Sequence, residues 1–84
     1  MPRRLPVVSG NEAVKSFERA AWRVKRRRSS HIVMTNAGIA KTLSIPDNRE
    51  LKRGTLRALI NDAGLTVDEF MELLGGKLRQ VSAV

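Results

Sequence analysis

Cysteine and tyrosine are absent, histidine occurs once, and the only aromatic residues are Phe17, Trp22 and Phe70. Without cysteine the chain can form no disulfide, offers no thiol nucleophile and cannot build a Cys-ligated zinc or iron–sulfur site. Nothing in this composition points to an oxidising compartment, so the expected location is cytoplasmic. The unbroken apolar runs, such as Ala20-Ala21-Trp22 and Ile32-Val33-Met34, fall far short of the ~18 residues a membrane span needs, and no membrane contact is expected. Arg3 and Arg4 imitate the basic start of a signal peptide, but Ser9 to Glu12 interrupts the apolar stretch that would have to follow. The scarcity of rings argues against RNA modules that stack successive bases on exposed aromatics, so any bound nucleic acid would be held mainly through its backbone.

Acidic residues are also few, 8 against 16 Lys+Arg, which leaves a net charge of +8 and favours polyanionic partners, with nucleic acid and acidic substrates foremost. The imbalance is local. Residues 23–57 hold ten cations and only Asp47 and Glu50 as acids, whereas residues 58–74 hold four acids and no base. A domain polarised in this way steers a polyanion to one side. The chain's 84 residues suffice for one domain, 1–84, with its patterned core over about 5–74 and a tail over 75–84. A domain this small buries only about 60–65% of its unfolded surface, so its stability should be modest and a partner helpful.

The hydrophobic pattern predicts an α+β fold in the order α-β-β-β-α with a short C-terminal helix. Ser9-Gly10-Asn11-Glu12 has the spacing of a capping box, so a helix should start at Gly10 and carry Ala13, Val14, Phe17, Ala20 and Ala21 as its apolar stripe, ending near Ala21. From Trp22 the period changes to two, predicting strands over 22–28, 31–36 and 41–45 in an antiparallel meander, with turns at Arg28-Ser29-Ser30 and Asn36-Ala37-Gly38. Trp22, Val24, Ile32, Met34, Leu43 and Ile45 should face the helices. The same alternation assigns Arg23, Lys25 and Arg27, with His31, Val33, Thr35, Thr42 and Ser44, to the opposite face. Leu56, Leu59, Ile60 and Ala63 mark a second helix stopped by Gly64, with Asp47 and Glu50 expected to cap its start. Thr66 to Glu69 repeats the capping-box spacing ahead of a third helix that Gly75-Gly76 should end.

Histidine is the side-chain type best suited to proton transfer near neutral pH, which makes His31 the one candidate general acid or base. Cleaving RNA without a metal requires a base for the 2′-hydroxyl, a proton for the departing 5′-oxygen and cations for the phosphorane charge. His31 and the arginines have these capacities, yet spacing alone does not separate this role from that of a surface histidine beside a basic hairpin. No metal site or cofactor is expected, because the carboxylates are concentrated in the last third of the chain on exposed helix positions. Ser29 and Ser30 read as turn residues, with no nucleophile elbow around them. Four consecutive cations, Lys25 to Arg28, exceed what protection of a strand edge needs. With Arg23, Lys52, Arg53 and Arg57 they form the candidate RNA-binding set, of which Arg23, Lys25, Arg27, Arg28, Lys52, Arg53 and Arg57 are the expected phosphate contacts.

Three segments, LPVVSGNEAVKSFERAAW, SSHIVM and ELKRGTLRALINDAGLTVDEFMELL, together make the chain resemble, over about residues 5–74, the HicA toxins of bacterial toxin–antitoxin pairs. Those toxins are small mRNA interferases with a double-stranded-RNA-binding-domain-like fold. The resemblance implies that His31 matches the family's catalytic histidine, that Gly54-Thr55-Leu56-Arg57 matches the G-T-L-R opening of its second helix, that mRNA is the substrate, and that a HicB-like antitoxin is the partner. The chain departs from the family in reading Ser29-Ser30-His31 for the common G-S-H, Ala21 for a frequent glycine and Asn48 for a frequent histidine, which implies a stiffer turn. Two other classes compete. Ala63 to Gly75 is similar to the helix-turn-helix stretch of lambda-type repressors, but only residues 77–84 remain for a recognition helix and the period-two pattern does not fit an all-helical domain. A catalytically silent double-stranded-RNA binder would use the same basic face.

Overall fold

The computed structural model describes residues 5–76; of the expected tail over 75–84, residues 77–84 lie outside the described residues, as do Arg3 and Arg4. Six elements follow in order: α1 Gly10–Glu18, β1 Arg23–Arg28, β2 His31–Asn36, β3 Ile39–Pro46, α2 Arg53–Asp62 and α3 Val67–Leu74. The strands form one antiparallel sheet in the order β1-β2-β3, the α+β arrangement that the pattern predicts.

The local chemistry accounts for each boundary. The Ser9 hydroxyl accepts from the Glu12 amide at 3.0 Å while the Glu12 carboxylate accepts from the Ser9 amide at 2.8 Å, which satisfies two otherwise orphaned donors of α1. Thr66 and Glu69 repeat the exchange at α3. α1 stops at Glu18, short of the expected Ala21, because Trp22 has to turn into the core. The chain leaves the helix through Ala21 at φ +74°, and the Trp22 amide donates back to the Phe17 carbonyl at 3.1 Å. α2 ends at Asp62 with Ala63 as its C-cap, and Gly64 at φ +78° stops it in the left-handed conformation that the sequence predicts.

The helices cover one face of the sheet. Phe17 of α1 and Phe70 of α3 meet at a ring-centroid separation of 5.4 Å, and with Trp22, Ile32, Met34, Leu43, Ile45, Leu56 and Ile60 they belong to one buried cluster. Val24 is only partly buried at its margin. Arg19 of the α1 C-cap donates to the Leu73 carbonyl at 2.7 Å, supplying a partner to the C-terminal end of α3 and tying it to α1. Among the described residues no helix is long and apolar enough to cross a membrane.

Two positions set the geometry around the loops. A methyl group on Gly10 would run into the Pro46 carbonyl oxygen, so the first turn of α1 can lie against the end of β3 only with glycine there. Ala21 occupies the left-handed region at a cost of about 1–2 kcal/mol for an L-residue. Ala21→Gly is therefore expected to stabilise the protein by about 0.5–1 kcal/mol after the extra freedom of the unfolded glycine is counted, raising Tm by a few degrees in a thermal melt. Gly10→Ala is expected to destabilise it by about 1–3 kcal/mol. A lower Tm for Ala21→Gly would contradict this account of the α1–β1 turn.

Candidate active site

His31 is the first residue of β2, and the strand's alternation fixes where it points. Ile32 and Met34 are buried beneath the helices, so His31, Val33 and Thr35 occupy the face that no helix covers. His31 is exposed, opposite Arg28 on β1 and Pro46 on β3. Directly opposed residues in an antiparallel pair share a face with Cα atoms roughly 4.5–5.5 Å apart, so Arg28 is the immediate neighbour of the histidine. The two-residue connection between them is Ser29-Ser30, with Ser29 at φ +40°; tight hairpin loops need positive φ, which explains why glycine suits that position. The Ser30 hydroxyl is 3.4 Å from His31 Nδ1, a long contact able to favour one orientation of the ring.

The register corrects the expected basic face. Arg23 opposes Thr35 and Val24 opposes Met34, but Arg26 opposes Val33, Arg27 opposes Ile32 and Arg28 opposes His31, because one extra residue bulges from β1 between Val24 and Arg26. A bulge reverses the alternation beyond it. Arg26 and Arg28 therefore share the face of His31, while Arg27 lies on the side of Ile32 and Lys25 falls within the bulge. Sequence reasoning missed Arg26 at this position: in an unbroken run of four cations no apolar residue marks the change of phase.

The start of α2 differs as well. Its N-cap is Lys52, which makes no side-chain hydrogen bond, and its first turn contains no acid, so Asp47 and Glu50 do not cap it as expected. Leu51 is buried and its amide donates to the Val8 carbonyl, which draws the chain past the acids and starts the helix on Lys52 and Arg53. Both helix starts are thereby brought to the end of the sheet where β2 begins and β3 ends. The Gly10 amide donates to Asn48 carbonyl at 2.8 Å and the Asp47 amide to Ser30 carbonyl at 2.7 Å, joining α1, the loop after β3 and the Ser29-Ser30 turn. Arg57 stands apart. With Gly54, Ala58, Asn61, Leu65 and Val67 it lines a groove between α2 and the start of α3.

Asp47 and Glu50 lie in the loop after β3, Asp47 beside the Ser29-Ser30 turn, and the other acids belong to the helices. Glu12 is engaged in the α1 cap, Asp62 pairs with Lys41 at 3.0 Å, and Asp68, Glu69 and Glu72 belong to α3. No group of three or more His, Asp or Glu side chains among the described residues comes together as a metal site would require. The site thus consists of an exposed imidazole, an adjacent guanidinium, a serine hydroxyl and, at the same end of the sheet, a helix start bearing two cations.

A family model described as the HicA toxin of bacterial toxin–antitoxin systems matches residues 10–65, from the first turn of α1 through α2, including His31 and Gly54 to Arg57. Neither a curated protein nor a solved structure matches the chain significantly. The family match spans two thirds of the sequence and contains the whole sheet. The chain belongs to the HicA toxin family, and it is the toxin partner of a cognate antitoxin.

Proposed function

We propose that this toxin is an endoribonuclease that cuts mRNA without a metal cofactor, with His31 as the proton-transfer residue. The observation that carries this reading is the pairing of the chain's only histidine with Arg28 on the open face of the sheet. His31 Nε2 takes the 2′-hydroxyl proton, the 2′-oxygen attacks the adjacent phosphorus, and Arg28 stabilises the added negative charge of the phosphorane. The bond to the 5′-oxygen then breaks, that oxygen takes a proton from water to become the 5′-hydroxyl, and the His31 imidazolium returns its proton to the solvent. The products are a 2′,3′-cyclic phosphate and a 5′-hydroxyl. Ser30 is a positioning residue: its hydroxyl accepts from Nδ1–H and so leaves the Nε2 lone pair available.

The phosphates on the α2 side are held by Lys52 and Arg53, supported by the free amides and positive dipole end of a helix that lacks a side-chain cap. Lys25, Arg27 and Arg57 strengthen the long-range attraction, and Arg23 contributes from the same face as His31. Phe17, Trp22 and Phe70 are all buried, so base stacking is weak and the affinity is strongly salt-dependent. The HicB-like antitoxin covers His31 with a surface rich in carboxylates, which speeds encounter with a +8 partner.

Purified protein is expected to cut single-stranded RNA equally with and without EDTA. His31→Ala should fold yet lose about 10²–10⁴ in rate, and a 2′-deoxy substitution at the scissile nucleotide should block cleavage. Binding without cleavage would instead favour the silent RNA-binding reading. Lys52→Asp is expected to act in two directions, raising stability by about 0.5–2 kcal/mol through a proper N-cap while weakening RNA binding. A variant gaining stability with unaltered affinity would remove the α2 start from the interface. In the antitoxin complex, hydrogen exchange should slow around residues 23–35; protection confined to residues 62–74 would contradict masking of the histidine.

A further inference from the structure

The sheet contains no acid: from Arg23 to Pro46 every charged residue is a cation, and every carboxylate of the described residues lies in a helix or in the loop after β3. Lys41 is engaged by Asp62 of α2, which draws it toward the helices. On the face the helices leave open, β1 contributes Arg23, Arg26 and Arg28, β2 contributes His31, Val33 and Thr35, and β3 contributes uncharged Thr42, Ser44 and Pro46. The three arginines thus form a row along one side only. At the end remote from His31 the row reaches a cleft of about 440 Å³ lined by Ala21, Arg23, Thr35, Asn36 and Ala37.

Resting on the nuclease reading above, we propose that this open face is a track for unpaired RNA on one flank of the scissile phosphate, with Arg26 and Arg23 as positioning residues that each hold one phosphate of that flank. The juxtaposition behind it is the bulge, which sets Arg26 opposite Val33 and leaves Arg23 opposite Thr35, in line with the Arg28–His31 pair. From His31 to Thr35 the strand advances about 13 Å at ~3.3 Å per residue. That length accommodates about four nucleotides at the ~3.4 Å spacing of a stacked strand and fewer if the strand is extended. The backbone runs along the arginines of β1, and the bases lie across half-buried Val33 toward the hydroxyls of Thr35, Thr42 and Ser44. A duplex fits poorly, because its second strand would face β3, where the open face has no cation.

The test uses the full chain carrying His31→Ala, so that RNA stays intact, and measures fluorescence anisotropy with 2′-O-methyl RNA of two to eight nucleotides over a range of salt. Affinity should rise with each nucleotide added on one flank up to about four and then level off. The Arg23→Ser/Arg26→Ser pair should abolish that length dependence, weaken binding of the eight-nucleotide strand by about tenfold, and reduce the log–log salt slope by about 1.4 for two lost phosphate contacts. Arg23→Lys/Arg26→Lys should preserve the slope, and Arg27→Ser, altered on the other side of the strand, should preserve the length dependence. A length dependence that survives the serine pair would overturn the track, as would equal binding of a duplex. So would retained RNA affinity accompanied by loss of antitoxin binding, which would give this face to the protein partner. Because the assay reads binding alone, its result stands apart from the cleavage assay: a track without cleavage refutes the nuclease, and cleavage without length dependence refutes the track.

Discussion

The site exists because four segments that are distant in sequence are fastened at one end of the sheet by backbone groups. Gly10 lies against the Pro46 carbonyl and donates to Asn48, Asp47 donates to Ser30, and Leu51 donates to Val8. Each such hydrogen bond contributes only about 0.5–1.5 kcal/mol net. Collectively they determine that the Ser29-Ser30 turn, the end of β3 and the starts of both α1 and α2 share one end of the molecule. The missing side chain at Gly10 is the steric condition for this arrangement, since a Cβ would force α1 away from β3 and loosen the loop that delivers Lys52 and Arg53. The scaffold therefore sets where the backbone presents Arg28, Lys52 and Arg53.

Charge segregation follows from the same topology. Five of the six residues in β1 are cations, and β1 is an edge strand, so the row repels a second copy of itself and resists edge-to-edge association. Those like charges also oppose the compact state, although exposure to water and salt reduces the penalty over a screening length of ~8 Å at physiological ionic strength. A bound polyanion relieves the repulsion. Binding of RNA or of an acidic antitoxin surface should thus stabilise the fold as well as occupy it, which suits a domain with a small core.

The parts legible from the sequence were those with a short-range chemical signature. The capping boxes at Ser9 and Thr66, the stop at Gly64 and the inward set from Trp22 to Ile45 all rest on residue types whose physics is local. Illegible parts depend on geometry that residue types do not encode. Lys25-Arg26-Arg27-Arg28 contains no apolar residue to reveal a shift of phase, so the bulge that exchanges Arg27 for Arg26 beside His31 has no sequence signal. The start of α2 was misread for a related reason: Asp47 and Glu50 are good capping types, but burial of Leu51 and its bond to Val8 carry the chain beyond them. The departures at Ala21 and Ser29 fall at the only two non-glycine residues with positive φ among those described, which gives the family's preference for glycine there a backbone cause.

The central chemical claim is that the 2′-oxygen of the substrate is the nucleophile and His31 moves its proton. The most direct measurement is mass spectrometry of the ends produced when the purified toxin cuts a defined single-stranded RNA in EDTA. The account predicts a 2′,3′-cyclic phosphate, or the monophosphate formed by its opening, on one fragment and a 5′-hydroxyl on the other. Fragments ending in 3′-hydroxyl and 5′-phosphate would mean that water or a protein group attacks phosphorus, and would contradict it.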